Sequence, residues 1–282
     1  MHQSGPGTPG HRNWDGEARL RGMRSVREGY PTYDDITPEL CRHGIQVRPY
    51  SIDIEAFWRF VDDAGYRRFG EYYGGGQHKC ATNKWLEHYV SLELLDPRPG
   101  EILIDIANCY SPFPDVVRQR LQLAVFRQDL IYDPGIHGDR IGGNAADLPL
   151  DNEFADLLTL HCSFEHFEGT SDQDFIREAE RILRPGGRLC ILPLYTHHEY
   201  AIQTDPSTWD AHTIQFEPDA TIHLVDGWGE AHGRLYDARH LLDRVVANLG
   251  QLELTIYAIR NYADVWKECY LKFAAVLRKS AQ

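Results

Sequence analysis

Long apolar runs are missing from this 282-residue chain. No stretch approaches the ~20 apolar residues that a membrane-spanning helix requires. The opening segment, MHQSGPGTPGHRNWDGEARL, contains no apolar core of the kind found in a secretory leader. Closely paired cysteines are missing too. The six stand at positions 41, 80, 109, 162, 190 and 269, none at C-x-x-C spacing, which argues against a zinc ribbon or a thioredoxin-type dithiol. Positive charge is scarce: 29 Lys and Arg face 42 Asp and Glu, for a net charge of −13. Wrapping nucleic acid depends on Lys and Arg against phosphate, so no nucleic-acid partner is expected. These absences lead us to expect a cytoplasmic protein without membrane attachment. In that reducing setting Cys109, Cys162 and Cys190, on or beside core strands, read as small buried hydrophobes.

What remains is ample for a core: the length suffices to bury one without disulfide or metal. Residues 1–30 are rich in Gly, Pro and charge and read as a loose arm. Helical periodicity begins near Ser51, with Phe57, Phe60 and Val61 on one face and a stop at Gly65. Tyr72 to Gly76 reads as an aromatic-flanked turn. A second helix is expected over 83–95, carrying Trp85, Leu86, Tyr89 and Val90. On it Lys84, Glu87 and His88 either face a bound ligand or, as the default, form a solvated face, and Pro97, Pro99 and Gly100 end it. Residues 31–100 thus form an N-terminal helical cap.

From residue 101 onward, strands and helices alternate. Strands are expected at 101–106, 123–126, 155–160 and 188–193, with helices at 115–121 and from an N-cap at Ser171, where Asp174 completes a capping-box-like start. Alternation of this kind predicts an α/β fold with a parallel sheet covered on both faces. Near the end, Asp237 caps a helix bearing Leu241, Leu242, Val245 and Leu249, closed by Gly250. Strands at 252–259 and 269–276 follow. The ten or so residues between them are too few for a crossover helix, so they should pair antiparallel.

In an open α/β sheet, ligands lie beyond the carboxyl ends of the central strands. Here those ends carry Asp105-Ile106-Ala107-Asn108-Cys109-Tyr110-Ser111, then Asp129, then Gly143-Asn144-Ala145-Ala146-Asp147-Leu148, then His161-Cys162-Ser163-Phe164-Glu165-His166. An acid at position 129 can accept both hydroxyls of a ribose.

Two segments, N-A-A-D-L-P-L followed by D-N-E-F-A-D-L-L-T-L, and F-I-R-E-A-E-R-I-L-R-P-G-G-R-L, resemble the class I S-adenosylmethionine-dependent methyltransferases, in particular their small-molecule branch. The resemblance covers about residues 84–195. It implies a Rossmann-like three-layer sandwich over 101–282, mostly parallel, with an antiparallel C-terminal hairpin and a substrate-covering insertion at about 196–236. It further implies S-adenosylmethionine as cofactor and methyl transfer to a small-molecule or glycan-linked O or N acceptor. Asp105 stands at the acidic start of the family's glycine-rich loop, and Ala107, Cys109 and Ser111 stand where its glycines are. Asp129 stands at the ribose acid, Asn144 at the adenine-amine contact, with Ala145 beside it and Leu148 packed on the ring. His161 borders the same pocket.

Loss of the three glycines departs from the family, because glycine adopts positive φ and lets backbone approach a ligand. Pro112 and Pro114 also remove backbone donors where an anionic ligand end would dock. His161, His166 and Glu165 are the candidate acid–base groups. Each histidine is equally suited to a fixed structural hydrogen bond, as are His197 and His198. Trp209, Trp228 and Tyr236 suit either a lid or ordinary packing. His161, Glu165 and His166 could in principle ligate a metal, but their spacing is not H-E-x-x-H, and no metal is expected. A small-molecule partner follows, and a homodimer is compatible. The rival readings are a non-catalytic, methyltransferase-like partner subunit, or a different reaction on the same fold.

Overall fold

The computed structural model describes residues 20–21, 33–70, 72, 81–210, 214 and 216–281. Most of the expected N-terminal arm and the Gly74–Gly76 turn lie outside them.

In chain order the elements are β1 (Leu20–Arg21), α1 (Tyr33–Arg42), β2 (Val47–Tyr50), α2 (Ile54–Ala64), α3 (Ala81–Leu95), β3 (Ile102–Ile106), α4 (Phe113–Leu121), β4 (Ala124–His137), β5 (Arg140–Gly142), β6 (Ala155–His161), α5 (Ser171–Ile182), β7 (Leu183–Leu192), β8 (Ala201–Thr204), β9 (Thr221–Leu224), β10 (Gly233–Leu235), α6 (Ala238–Arg244), β11 (Leu252–Ile259), α7 (Tyr262–Val265) and β12 (Phe273–Lys279). An eight-stranded sheet runs β2-β11-β12-β7-β6-β3-β4-β5. Strands β7, β6, β3, β4 and β5 pair in parallel. β12 is antiparallel to both β7 and β11, and β2 joins the far edge parallel to β11. The fold is therefore the expected α/β sandwich with its antiparallel end.

Alternation along the strands builds the two covered faces. Ile104, Ile106, Leu158, Leu160, Leu189 and Ile191 bury against α1, α5 and α6. Leu103, Leu157, Cys190 and Leu192, one residue out of phase, bury against α2, α3 and α4. A period of two on doubly covered strands gives this division. Local chemistry sets the helix ends. Asp53 accepts from the Ala56 N–H at 2.9 Å to start α2, and Gly65 ends it at φ 64°, a conformation that needs glycine's freedom. Asp237 caps α6 through the His240 N–H.

Several sequence expectations need correction. Ser171 lies within α5; the N-cap is Thr170, whose hydroxyl bonds the Asp174 carboxylate at 2.8 Å. The second central strand is far longer than 123–126. β5 pairs with residues 127–129 of β4, and residues 134–137 fold back onto the same short strand, so a β-ribbon joins β4 to β5. Cys109 is exposed rather than buried.

The segment between β7 and α6 makes a second sheet, β1-β9-β8-β10, with its own core of Tyr200, Ile202, Ile214, Phe216, Ala220 and Ile222. Fully buried Arg234 of β10 ties this sheet to the main body. It donates to the carbonyls of Phe167 and Gly169 and to Glu217, and lies 3.2 Å from Asp172. Asp172 also receives Arg244 at 2.8 and 2.7 Å and the Tyr236 hydroxyl at 2.6 Å. Burial, with Asp172 beside it, holds the Tyr236 phenol well above its ordinary value.

Candidate functional site

The loop after β3 is built without glycine, and three of its residues occupy the left-handed region: Ala107 at φ 51°, Cys109 at 46° and Tyr110 at 60°. For residues with a Cβ this costs roughly 1–2 kcal/mol each, and it persists only where surroundings over-determine the bend. Here they do. Asn108, at the centre, donates its amide to Asp105 at 2.6 Å and to the Ser111 carbonyl at 3.2 Å, while the Tyr132 hydroxyl donates to its oxygen at 2.8 Å. The Ala107 N–H donates to the Gln128 side chain at 3.2 Å. The Cys109 N–H donates to Asp129 at 2.7 Å. Asp105 itself is buried and also accepts from Thr159 at 2.8 Å. It fastens the loop from below.

Tyr110 turns outward, 63% exposed, against the Tyr132 ring, and Pro112 and Pro114 are buried at the start of α4. The loop is thus not plugged. A cleft of about 310 Å³ opens beside it, lined by Ala107, Gln128, Asp129, Leu130, Asn144, Ala145, His166, Phe167, Glu168 and Ser171. Such a volume lies at the small end of ligand sites. Each Asp129 oxygen accepts one backbone N–H, from Cys109 and from Ile131 at 3.1 Å, and each keeps a lone pair for a further donor.

Of the residues singled out in the sequence, Ala107, Asp129, Asn144, Ala145 and His166 come together around this cleft. Asn144 is exposed, its oxygen accepting from the Ala146 N–H at 3.0 Å. Others lie elsewhere. Ser111 is buried, its hydroxyl accepting from the Phe113 N–H at 3.3 Å just before α4. Leu148 packs in the core beneath α5 rather than on the cleft, its N–H held by Glu178 at 2.7 Å. His161 is buried between His88 and Phe113. It bonds Ser91 of α3 at 3.0 Å and lies 3.2 Å from Asp105. His197 and His198 reach toward β9 and α1, His198 lying 3.3 Å from Glu39. Leu130 and Phe167 supply apolar cleft wall that no sequence pattern marked.

His166 is anchored by the His232 carbonyl at 2.5 Å and stacks on Trp228 with centroids 5.9 Å apart. Glu165 lies beside it, 3.7 Å from the ring. That carboxyl is buried with Oε2 unbonded. Burial raises its pKa above the ordinary 4.5, although His166 and Lys84 pull the other way.

Behind these groups α3 presents polar residues inward. Glu87 and His88 are buried, which overturns the expected solvated face. Lys84 binds Glu87 at 3.1 Å, the Tyr270 hydroxyl donates to the other Glu87 oxygen at 2.6 Å, and Tyr66 pairs with His88 at 2.8 Å. The Cys162 sulfur lies 3.8 Å from the hydroxyls of both Tyr195 and Tyr270. Burial pushes its thiol far up, so it stays neutral.

Residues 118–191 match the methyltransferase domain family. Over 173 residues the chain is 24% identical to the ubiquinone/menaquinone biosynthesis C-methyltransferase of Ectopseudomonas mendocina, covering 55% of this chain and 62% of that protein. It is 23% identical over 174 residues to the demethylmenaquinone methyltransferase of Corynebacterium kroppenstedtii, covering 57% of this chain and 72% of the relative. The chain thus spans 62% of the length of the first of these relatives. Among solved structures it resembles the Burkholderia thailandensis 1,6-didemethyltoxoflavin-N1-methyltransferase with bound 1,6-didemethyltoxoflavin and S-adenosylhomocysteine. The TM-score is 0.50 at 13% identity, over 83% of this chain and 92% of that one. The segment from Arg118 to Ile191 thus resembles the methyltransferase domain family, and the chain shares the fold of the Burkholderia methyltransferase.

Proposed function

We propose that the protein transfers a methyl group from S-adenosylmethionine to an oxygen or nitrogen of a small-molecule or glycan-linked acceptor. The observation that carries this reading is Asp129 at the mouth of an open cleft, with spare lone pairs and apolar wall on either side. The residues present fit a nucleoside. Asp129 would accept the ribose hydroxyls, Leu130, Ala145 and Phe167 would enclose the base, and Asn144 would meet its polar edge. Once bound, the cofactor supplies an electrophilic methyl on a sulfonium.

The rest falls to the chain. Enclosure by Phe167 and the Trp228–His166 stack excludes water, and positioning of the acceptor provides much of the acceleration. Glu165 and His166 stand at the exit of β6 as the groups that take a proton from the acceptor. A carboxyl raised by burial is the better base at neutral pH. His161 acts from behind, linking Asp105 to α3. Under this reading Glu165→Gln leaves S-adenosylhomocysteine affinity within about twofold, while His166→Ala, which opens the cleft wall, weakens it. Both lower turnover on any accepted substrate by roughly 10²- to 10⁴-fold, as loss of a proton-transfer group does. Unchanged turnover in both variants would remove them from the reaction.

The glycine-free loop is the one observation favouring a non-catalytic, methyltransferase-like subunit. That reading requires no binding of S-adenosylmethionine or S-adenosylhomocysteine, a direct point of difference.

A further inference from the structure

The start of α4 has no donor to offer an anion. Pro112 and Pro114 have no N–H. The Phe113 N–H is taken by the Ser111 hydroxyl, and those of Asp115 and Val116 by the Pro112 carbonyl. In the preceding loop the amides of Ala107, Asn108, Cys109 and Ser111 are also occupied, by Gln128, Asp129 and Asn108. A helix N-terminus and its lead-in loop ordinarily make an anion site out of such free amides. This chain has spent nearly all of them on holding a strained bend in place.

A cation stands where those donors are lost. Lys84 stands on α3 beside the carboxyl end of β6: the Tyr270 hydroxyl that holds its partner Glu87 also lies 3.8 Å from the Cys162 sulfur, and His88, one turn on, packs on Phe113 at the start of α4 with centroids 4.6 Å apart. Its side chain is 24% exposed, while Glu87, to which it is pinned at 3.1 Å, is fully buried. Tyr270 fixes the far oxygen of Glu87 at 2.6 Å, so the pair cannot swing freely. An ammonium has three donors; among the described residues Glu87 takes one. Burial opposes the charge, yet Lys84 remains an ammonium well above its ordinary range because Cys162, Glu87 and Tyr72 lie close. Cys162 and Tyr72 are themselves neutral near pH 7.

We propose that Lys84, braced by Glu87 and Tyr270, is the carboxylate receptor for the amino-acid end of the cofactor, replacing the blocked amides of α4. This rests on the nucleoside reading of the cleft given above. The assignment gives α3 a specificity role: it separates ligands with a carboxylate from those without one.

The test is calorimetric titration with S-adenosylmethionine and with decarboxylated S-adenosylmethionine, which differ only in the carboxylate. Wild type, Lys84→Met and Lys84→Arg are compared, each checked for an intact melting transition. A charged hydrogen bond lost from a site costs roughly 10- to 150-fold in affinity. Wild type should therefore favour the carboxylate form by about that factor, Lys84→Met should bring the ratio close to one by weakening only that form, and Lys84→Arg should retain most of the preference. An unchanged ratio in Lys84→Met, or equal weakening of both ligands, overturns the assignment while the nucleoside site stands. If neither ligand binds wild type, the nucleoside reading itself fails and the assignment falls with it.

Discussion

At the scale of single residues, the loop after β3 shows how a substituted motif keeps its shape. Ala107 and Cys109 take the positive φ that glycine would adopt without strain. Asn108, Gln128 and Asp129 hold them there. Restoring glycine at 107 should stabilise the fold by about 0.5–1 kcal/mol, since the relieved strain exceeds the entropy glycine costs; urea denaturation of Ala107→Gly measures this. His232 gives a second residue-level expectation. Burial, reinforced by Arg234 and His166, lowers its pKa well below the ordinary 6.5. The folded state therefore binds fewer protons than the unfolded chain as pH falls below about 6.5. The stabilising contribution is complete above that pH and is lost as pH drops toward the folded value. Melting temperature should fall less steeply from pH 6.5 downward in His232→Gln than in wild type, and parallel curves would show that His232 does not titrate in this window. Sequence patterns marked Asp129, Asn144 and His166 because their places at strand ends follow from chain order. They missed Leu130 and Phe167, which reach the cleft only because the ribbon and the turn after β6 bend toward it. Leu148 was misjudged for the converse reason: Glu178 draws its backbone inward.

Among elements, the strands near 101–106, 155–160, 188–193 and 252–259 were legible because alternation and turn residues record burial directly, whereas β2, β5, the small sheet and the strand order were not. The inward polar face of α3 was not. Lys84, Glu87 and His88 carry the composition of a solvated surface, and only partners distant in sequence, Tyr66 and Tyr270, make burial affordable. The joint between the small sheet and α5 was equally hidden, since Asp172, Arg234 and Arg244 meet across more than 60 residues. Removing one partner of a buried charged cluster leaves the others uncompensated, at a cost of about 3–5 kcal/mol. Asp172→Ala should lose stability in that range by thermal or urea unfolding. It should also weaken nucleoside binding, because Arg234 holds the carbonyls of Phe167 and Gly169 behind the cleft wall. A loss below 1 kcal/mol would show that the two arginines find other partners.

For the molecule as a whole, the large sheet positions the loop after β3, Asp129 and the segment after β6, while the small sheet carries Arg234. The large sheet's parallel strands deliver Asp105, Asp129 and the 161–166 segment to one edge, with α3 behind that edge and the small sheet above it. No helix among the described residues is long and apolar enough to cross a membrane. The central claim is that the glycine-free bend still admits a nucleoside held by Asp129. Calorimetric titration of S-adenosylhomocysteine into wild type and Asp129→Ala tests it most directly. The account predicts saturable binding to wild type, stabilising the fold by about 2.7 kcal/mol at 100 times the dissociation constant. It predicts at least tenfold weaker binding to Asp129→Ala, from lost hydrogen bonds to a charged group. Absence of heat and of any melting shift with wild type, or equal affinity in the two proteins, would contradict it.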